Sequence, residues 1–294
     1  MERKTDYSLV ALDHGLYSVR SETHGETFHP QVGPEMEARS VYFKPMRIEQ
    51  RLQSAKGPFV AWDVGLGGAG NVLNLVRDHG NVRAQMEIHS FDSTLEPLRF
   101  ALAHSCSLDY LAGFECHVEK LIQDRKIKFK WGHLDIHWYL HLKDLRMGYP
   151  AKAQLGESPM VILYDPYSPA KNPELWSIIA FKMLMEELDG PCTMATYSRS
   201  TSVRVAMLCA GFFVGKGGEV GEKEETTIAS NRAEYIDSPL DDAWLKKLRN
   251  STNGEPIVNV PHQRTFITAS TWSKIIQHPQ FKKYSFASDL PMRH

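Results

Sequence analysis

The sequence predicts a doubly wound, Rossmann-like α/β fold: a mostly parallel, seven-stranded sheet with helices on both faces. Three observations carry this expectation. Over positions 51–230, apolar strand-like runs alternate with helical stretches of roughly 10–15 residues, the pattern of parallel strands joined by crossover helices. A glycine-rich turn, Gly65-Leu66-Gly67-Gly68-Ala69-Gly70, separates the first of those strands from its helix. Two later strands run into an acid, Asp92 and Asp165, at the strand ends where such sheets bind ligands.

The elements follow in order. Residues 1–50 alternate apolar and polar positions in short stretches broken by Asp13-His14-Gly15, His29-Pro30 and Gly33-Pro34, and read as an antiparallel extension. Pro58–Val64 suits a strand covered on both faces, and Asn71–Arg77 has helical apolar spacing. Gln85–Phe91 is the second strand, followed by helices over Leu95–Ser105 and Tyr110–Gln123. Ile127–Trp131 alternates as the third strand, and a helix is expected over Ile136–Leu142. Pro159–Tyr164 is a buried fourth strand, and Pro173 opens a helix that runs to Leu188. Cys192–Tyr197 is the fifth strand, and Ser200–Ala210 a helix stopped by Gly211. Phe212–Val214 and Glu225–Ala229 close the sheet as an antiparallel pair. Residues 231–294 form a C-terminal appendage with a helix over Asp241–Leu248 and another after Thr271.

Composition is that of a globular protein: 42% hydrophobic and 23% charged residues, with 34 Lys+Arg against 35 Asp+Glu. The balanced charge excludes a generally basic surface, so any nucleic-acid contact has to use a local patch. The charged start leads into no apolar signal core, and no apolar run reaches membrane-spanning length, which sets a cytoplasmic expectation. The four cysteines form no CxxC pair and read as reduced thiols.

The chemistry begins at the glycine turn. Gly65, Gly67, Gly68 and Gly70 let a ligand approach the backbone at a helix N-terminus, with Asn71 opening that helix and Asp92 placed to take ribose hydroxyls. Gly65-x-Gly67-x-x-Gly70 also satisfies the dinucleotide spacing. An acid two residues before the first glycine, Asp63, suits capture of a methionine amino group, and Asp135, past the third strand, suits an adenine edge. Together they favour S-adenosyl-L-methionine over NAD. Asp135 equally suits the cap of a helix over 136–142.

At the end of the fourth strand stands Asp165-Pro166-Tyr167-Ser168-Pro169-Ala170-Lys171-Asn172-Pro173-Glu174-Leu175-Trp176. An acid-Pro-aromatic turn there suits methyl transfer to an amine. A protonated amine has no lone pair and is repelled by a sulfonium. Desolvation against Pro166 and Tyr167 lowers its pKa, while Asp165 orients it or takes its proton.

That segment resembles the signature of the tRNA 5-methylaminomethyl-2-thiouridine methyltransferase family. The similarity extends over residues 25–230, through Glu37, the Gly65–Gly70 turn with Asn71 and Asn74, Thr193–Tyr197, Val203-Arg204, Ala210–Phe212 and Gly217–Glu224. The chain carries Asp165-Pro166-Tyr167 where the family usually has Asp-Gly-Phe, and Glu224-Glu225 after Lys223 where it has Arg-Glu. The resemblance implies an S-adenosyl-L-methionine-dependent enzyme acting on the 5-aminomethyl group of a wobble uridine in the tRNA anticodon region. Asp165, Tyr167 and Lys171 would be catalytic, and Glu37, Pro166 and Asn172 would bind substrate. No second glycine-rich nucleotide motif follows residue 230, so an FAD-dependent oxidase would be a separate partner. An acceptor of another kind, a small-molecule or other RNA amine, or a non-catalytic cofactor-binding role keeps the same fold.

His133, His137 and His141 recur every four residues, as on one face of a helix, and with no cysteine nearby they set no metal expectation. Lys246, Lys247, Arg249, Arg264, Lys274, Lys282 and Lys283 make the tail basic, as a solvated face or as an RNA patch. Tyr42, Phe43, Tyr167 and Trp176 are candidates to stack a splayed base, with core packing the competing role for Phe43 and Trp176.

Overall fold

The computed structural model describes residues 6–29, 32–219, 225–258 and 261–284; Lys223 and Glu224, part of the family similarity, lie outside them. The N-terminal extension is only half β. Strands β1 (Tyr7–Ala11), β2 (Tyr17–Ser21) and β3 (Glu26–Thr27) form an antiparallel three-stranded sheet. Helices α1 (Gly33–Ala38) and α2 (Ile48–Ser54) follow, joined by one wider helical turn over Arg39–Phe43. Pro34 in the first turn of α1 needs no amide partner there, so the Gly33-Pro34 pair opens a helix rather than another strand turn.

The core alternates as expected: β4 (Phe59–Val64), α3 (Gly70–Asp78), β5 (Ala84–Asp92), α4 (Glu96–Ala103) and α5 (Glu115–Asp124). The next stretch differs. Residues 126–142 form a hairpin, β6 (Lys126–Trp131) and β7 (Leu134–Leu142), where a strand and then a helix were expected. Leu134, Ile136, Trp138 and Leu140 are buried at every second position, the two-residue period of a strand. Histidines spaced by four share a face in a strand as well as in a helix, so their spacing could not decide between the two. Gly132, at φ +58°, makes the tight turn: a Cβ there would lie 2.2 Å from the Gly80 carbonyl oxygen.

After the short α6 (Lys152–Leu155) come β8 (Val161–Tyr164), α7 (Ile178–Glu186), β9 (Thr193–Thr196), α8 (Thr201–Cys209), β10 (Phe213–Lys216) and β11 (Thr227–Ser230). Pro173–Trp176 is a separate 3-10 turn, and Ser177 caps α7 by accepting the Ala180 amide. Among the described residues the sheet has eight strands in the order β10-β11-β9-β8-β4-β5-β7-β6, one more than expected. Strands β7, β5, β4, β8 and β9 are parallel; β11 and β6 run against their neighbours.

The central strand β4 is buried throughout, its side chains alternating between two cores. Phe59 and Ala61 join the cluster under α3, α4 and α5, while Val60, Trp62 and Val64 join the one under α7 and α8. The C-terminal segment belongs to this second core rather than hanging from it. Helices α9 (Asp242–Arg249) and α10 (Ala269–Gln277) bury Trp244, Leu248, Trp272 and Ile275 in it, beside Phe281. Gln280 then reaches β10: its side-chain oxygen accepts the Val214 amide at 2.8 Å, and its nitrogen donates to the Val214 and Leu240 carbonyls at 2.8 and 2.9 Å. No helix among the described residues is long and apolar enough to cross a membrane.

Candidate active site

A cavity of ≈ 550 Å³ opens at the carboxyl ends of β4, β5, β7 and β8, within the range of small-molecule and cofactor sites. Its floor is the glycine turn. Gly65 (φ +89°) is in a conformation that favours glycine, and a Cβ there would meet the Asp165 carbonyl oxygen at 2.5 Å. The turn after β4 therefore passes directly against the loop after β8. Gly67 donates its amide to Asp92 Oδ2 at 3.0 Å, and Thr94 donates to Oδ1 at 3.2 Å, so the carboxylate at the end of β5 is fixed at the cavity wall. Burial raises the Asp92 pKa, opposed by these amides.

The predicted site residues separate into groups. Gly65, Gly67, Gly68, Asn71 and Asp92 line the cavity. So do Glu37, Asp165, Pro166, Tyr167, Lys171 and Asn172 from the acceptor set. Asp63 lies beneath the turn, 1% exposed, opposite Ser90 in the sheet, with both carboxyl oxygens lacking a hydrogen-bond partner. Burial pushes its pKa up to about 8, against a lowering influence of the Ser90 hydroxyl and a further rise from Asp165 and Asp92. Gly70 faces the N-terminal segment, where a Cβ would press on His29 and Pro34 at 3.1 Å.

Asp135 is out of the site. It is near the start of β7, paired in register with Gln85 at the amino end of β5, and forms an exposed ion pair with Lys130 at 3.1 Å. Reading β7 as a helix placed the third strand's end nine residues too early in space as well as in sequence. The loop that leaves the true end brings Lys143, Asp144 and Arg146 to the cavity instead, with Asp144 and Arg146 paired at 2.6 Å. The buried alternation from Leu134 to Leu140 was the signal that would have found them.

Asp165 is the centre of the acceptor side. The Asn71 side-chain amide donates to its Oδ2 at 2.6 Å, while Asn71 Oδ1 is buried without a partner. Burial raises the Asp165 pKa to about 6; nearby His29 lowers it, Glu37 raises it, and Asn71 and the Tyr42 hydroxyl favour its charged form. Tyr197 donates to the Pro166 carbonyl at 2.9 Å and the Trp176 indole to the Tyr167 carbonyl at 2.8 Å, fixing the loop. Tyr42, Phe43 and Trp176 are all buried in the cores, which leaves Tyr167 as the member of that aromatic set on the cavity wall.

The other wall comes from the N-terminal sheet, which sequence reasoning did not place here. His24 stacks on Tyr167, with ring centroids 3.8 Å apart and planes 9° apart, and Phe28 tilts against it at 5.9 Å. Glu26 accepts the Ser168 amide at 3.0 Å and its hydroxyl, clasping the extension to the loop after β8. No local pattern marks such contacts, because they join residues 142 positions apart. In the tail, Lys246 pairs with Asp242 at 3.1 Å and Arg249 lies over the Trp272 ring. Among the described residues no group of three or more His, Cys, Asp and Glu is arranged to hold a metal ion.

A cavity bounded by Asp92, Asp165, Glu26 and Glu37, with Asp63 beneath it, favours cationic ligands. S-Adenosyl-L-methionine, which carries both a sulfonium and an ammonium, matches that charge and meets the unpaired Asn71 oxygen. The profile of a family described as S-adenosyl-L-methionine-dependent methyltransferase matches residues 115–232. Named relatives are tRNA 5-methylaminomethyl-2-thiouridine biosynthesis bifunctional proteins MnmC. The one from Ralstonia nicotianae is 42% identical over 66 residues, 22% of this chain and 10% of its own. The one from Methylibium petroleiphilum is 26% identical over 227 residues, 75% of this chain and 34% of its own. The chain belongs to the S-adenosyl-L-methionine-dependent methyltransferases, in the family of the MnmC methyltransferase module. This methyltransferase spans about a third of the length of the Methylibium protein. Its fold matches the crystal structure of MNMC2 from Aquifex aeolicus with a TM-score of 0.65 at 21% identity, over 96% of this chain and 86% of that one.

Proposed function

We propose that this methyltransferase modifies an amine, and that the amine is the 5-aminomethyl group of a modified wobble uridine in tRNA. The observation that carries the reading is Asp165: a buried carboxylate beside the glycine turn, held by Asn71 and walled by Pro166 and Tyr167. The names of the MnmC relatives support the tRNA acceptor. In this reading the enzyme works in the cytoplasm on the anticodon region, and a separate FAD-dependent oxidase supplies the free amine.

Gly65, Gly67, Gly68 and Asn71 would hold the methionine part of the cofactor and Asp92 its ribose. Asp144 would take the adenine-side place first given to Asp135. Asp63 acts from below through its charge. Bound S-adenosyl-L-methionine supplies a methyl group activated by the positive sulfonium. Asp165 binds the entering ammonium and takes its proton, Tyr167 excludes water from the acceptor, and Lys171, Glu37 and Asn172 line the path it enters. Most of the rate then comes from holding the nitrogen in line with the methyl group.

The test is transfer of tritiated methyl from S-adenosyl-L-methionine to tRNA purified from cells lacking this gene, with nucleoside analysis of the product. New 5-methylaminomethyl uridine is expected. Cofactor binding without incorporation into tRNA overturns the tRNA acceptor, and incorporation into a small amine replaces it.

A further inference from the structure

We propose that His29 is a positioning residue which, with Glu37, receives through Asp165 the proton that an amine must shed before methylation. The inference deepens the amine reading above and rests on it.

Three distant parts of the chain meet here. His29 follows β3, Glu37 lies on α1 and Asp165 follows β8, and all three line the same cavity. His29 Nδ1 is 3.8 Å from Glu37 Oε2, with the two side chains 11% and 9% exposed. The Nδ1 atom is buried without a hydrogen-bond partner. The opposite edge of the ring packs on the helix start, where Nε2 would lie 3.1 Å from a Cβ at Gly70. His29 is held at φ 49°, a conformation non-glycine residues rarely adopt, which persists only where surroundings enforce it.

The charges suit a proton acceptor. Burial holds His29 below the usual histidine range, against the opposing pull of Asp165, so the ring is neutral near pH 7 with a lone pair available. Asp165 is faced by His29, by Glu37 from α1, by Tyr42 from the turn after it, by Asn71 from α3, by Tyr197 after β9 and by Asp63 from β4. Of these His29 is the neutral base.

The step balances as follows. An N–H bond of the ammonium breaks and an O–H bond forms on Asp165, leaving the electron pair on the nitrogen. That pair forms the N–CH3 bond while the bond from methyl to sulfur breaks, its electrons returning to sulfur. The Asp165 proton then passes to the imidazole, and the Glu37 carboxylate offsets the imidazolium charge. Asp165 is thereby a carboxylate again.

Two measurements test this. The first needs no acceptor: follow the His29 ring resonances by NMR against pH in the full-length protein. Its midpoint should fall in both Asp165→Asn and Glu37→Gln, each of which removes a negative neighbour. A midpoint unmoved in both overturns the unit, whatever the acceptor. The second is the pH profile of kcat/KM on tRNA. His29→Asn should cut kcat about 10-fold or more and move the acidic limb up, while Glu37→Gln moves it down, with little change in KM for tRNA. Opposed shifts are not the signature of a structural role; equal losses with an unmoved limb overturn the proposal. If His29 responds by NMR while tRNA is not methylated, the unit stands and the tRNA acceptor falls. His29→Gln serves if the Asn variant does not fold.

Discussion

The side-chain amide of Asn71 donates to the Asp165 carboxylate across 2.6 Å, tying the first turn of α3 to the loop that leaves β8. The donor and acceptor halves of the cavity are thus joined by one bond between residues 94 positions apart. Replacing Asn71 by Ala leaves that carboxylate without its donor. A hydrogen bond to a charged group contributes roughly 1.5–3 kcal/mol, so kcat/KM should fall by about 10–100-fold. Calorimetric titration should show the cofactor dissociation constant changing far less than the rate.

The backbone approach at Gly65 makes a sharper prediction. In Gly65→Ala the new Cβ collides with the Asp165 carbonyl oxygen, a backbone atom that cannot swing aside, at a φ that already disfavours alanine. The variant should show no thermal stabilisation by S-adenosyl-L-methionine in scanning fluorimetry. Gly57→Ala, where nothing lies within 4 Å of the added Cβ, should be stabilised as the wild type is.

Asp63 makes both stability and cofactor affinity depend on pH. Its pKa of about 8 in the folded protein lies well above its unfolded value near 4, so the folded state holds the extra proton between those limits. The contribution of Asp63 is therefore fully present below about pH 4 and is lost as pH rises toward about 8. A cationic cofactor favours the carboxylate, so its affinity should rise over the same window and binding should release protons. Titration in two buffers of different ionisation enthalpy measures that release. Asp63→Asn should abolish it, stabilise the free protein near pH 8 and weaken cofactor binding.

The two candidate acids of the third parallel strand can be told apart directly. Asp144→Ala should weaken S-adenosyl-L-methionine about tenfold, whereas Asp135→Ala, at the far end of β7, should leave affinity unchanged. An Asp135→Ala variant that loses affinity while Asp144→Ala does not would overturn the reassignment.

These cases also show what a sequence can and cannot convey. The turn from Gly65 to Gly70 and the acids Asp92 and Asp165 were legible because each sits at a strand-to-helix boundary with its own local pattern. The hairpin over 126–142 was not, because one reading of histidine spacing outweighed the alternation of Leu134, Ile136, Trp138 and Leu140. The role of His24, Glu26 and Phe28 had no local signature at all. They reach the cavity only through the packing of the N-terminal sheet against the loop after β8. The helical stretch after Gly33 was hidden by a Gly-Pro pair that serves turns and helix starts alike.

The contact between Gln280 and β10 has a consequence for the chain in solution. Strand β10 ends the sheet, and an unpaired strand edge is a template on which another chain can add a strand. One side-chain amide, accepting from Val214 and donating back to it, occupies the backbone positions such an intruder would use. The last described turn of the protein thereby acts as a guard against self-association. A chain cut short before Gln280 would keep its cavity and its cofactor turn, yet present a sticky border along β10 and gather into aggregates.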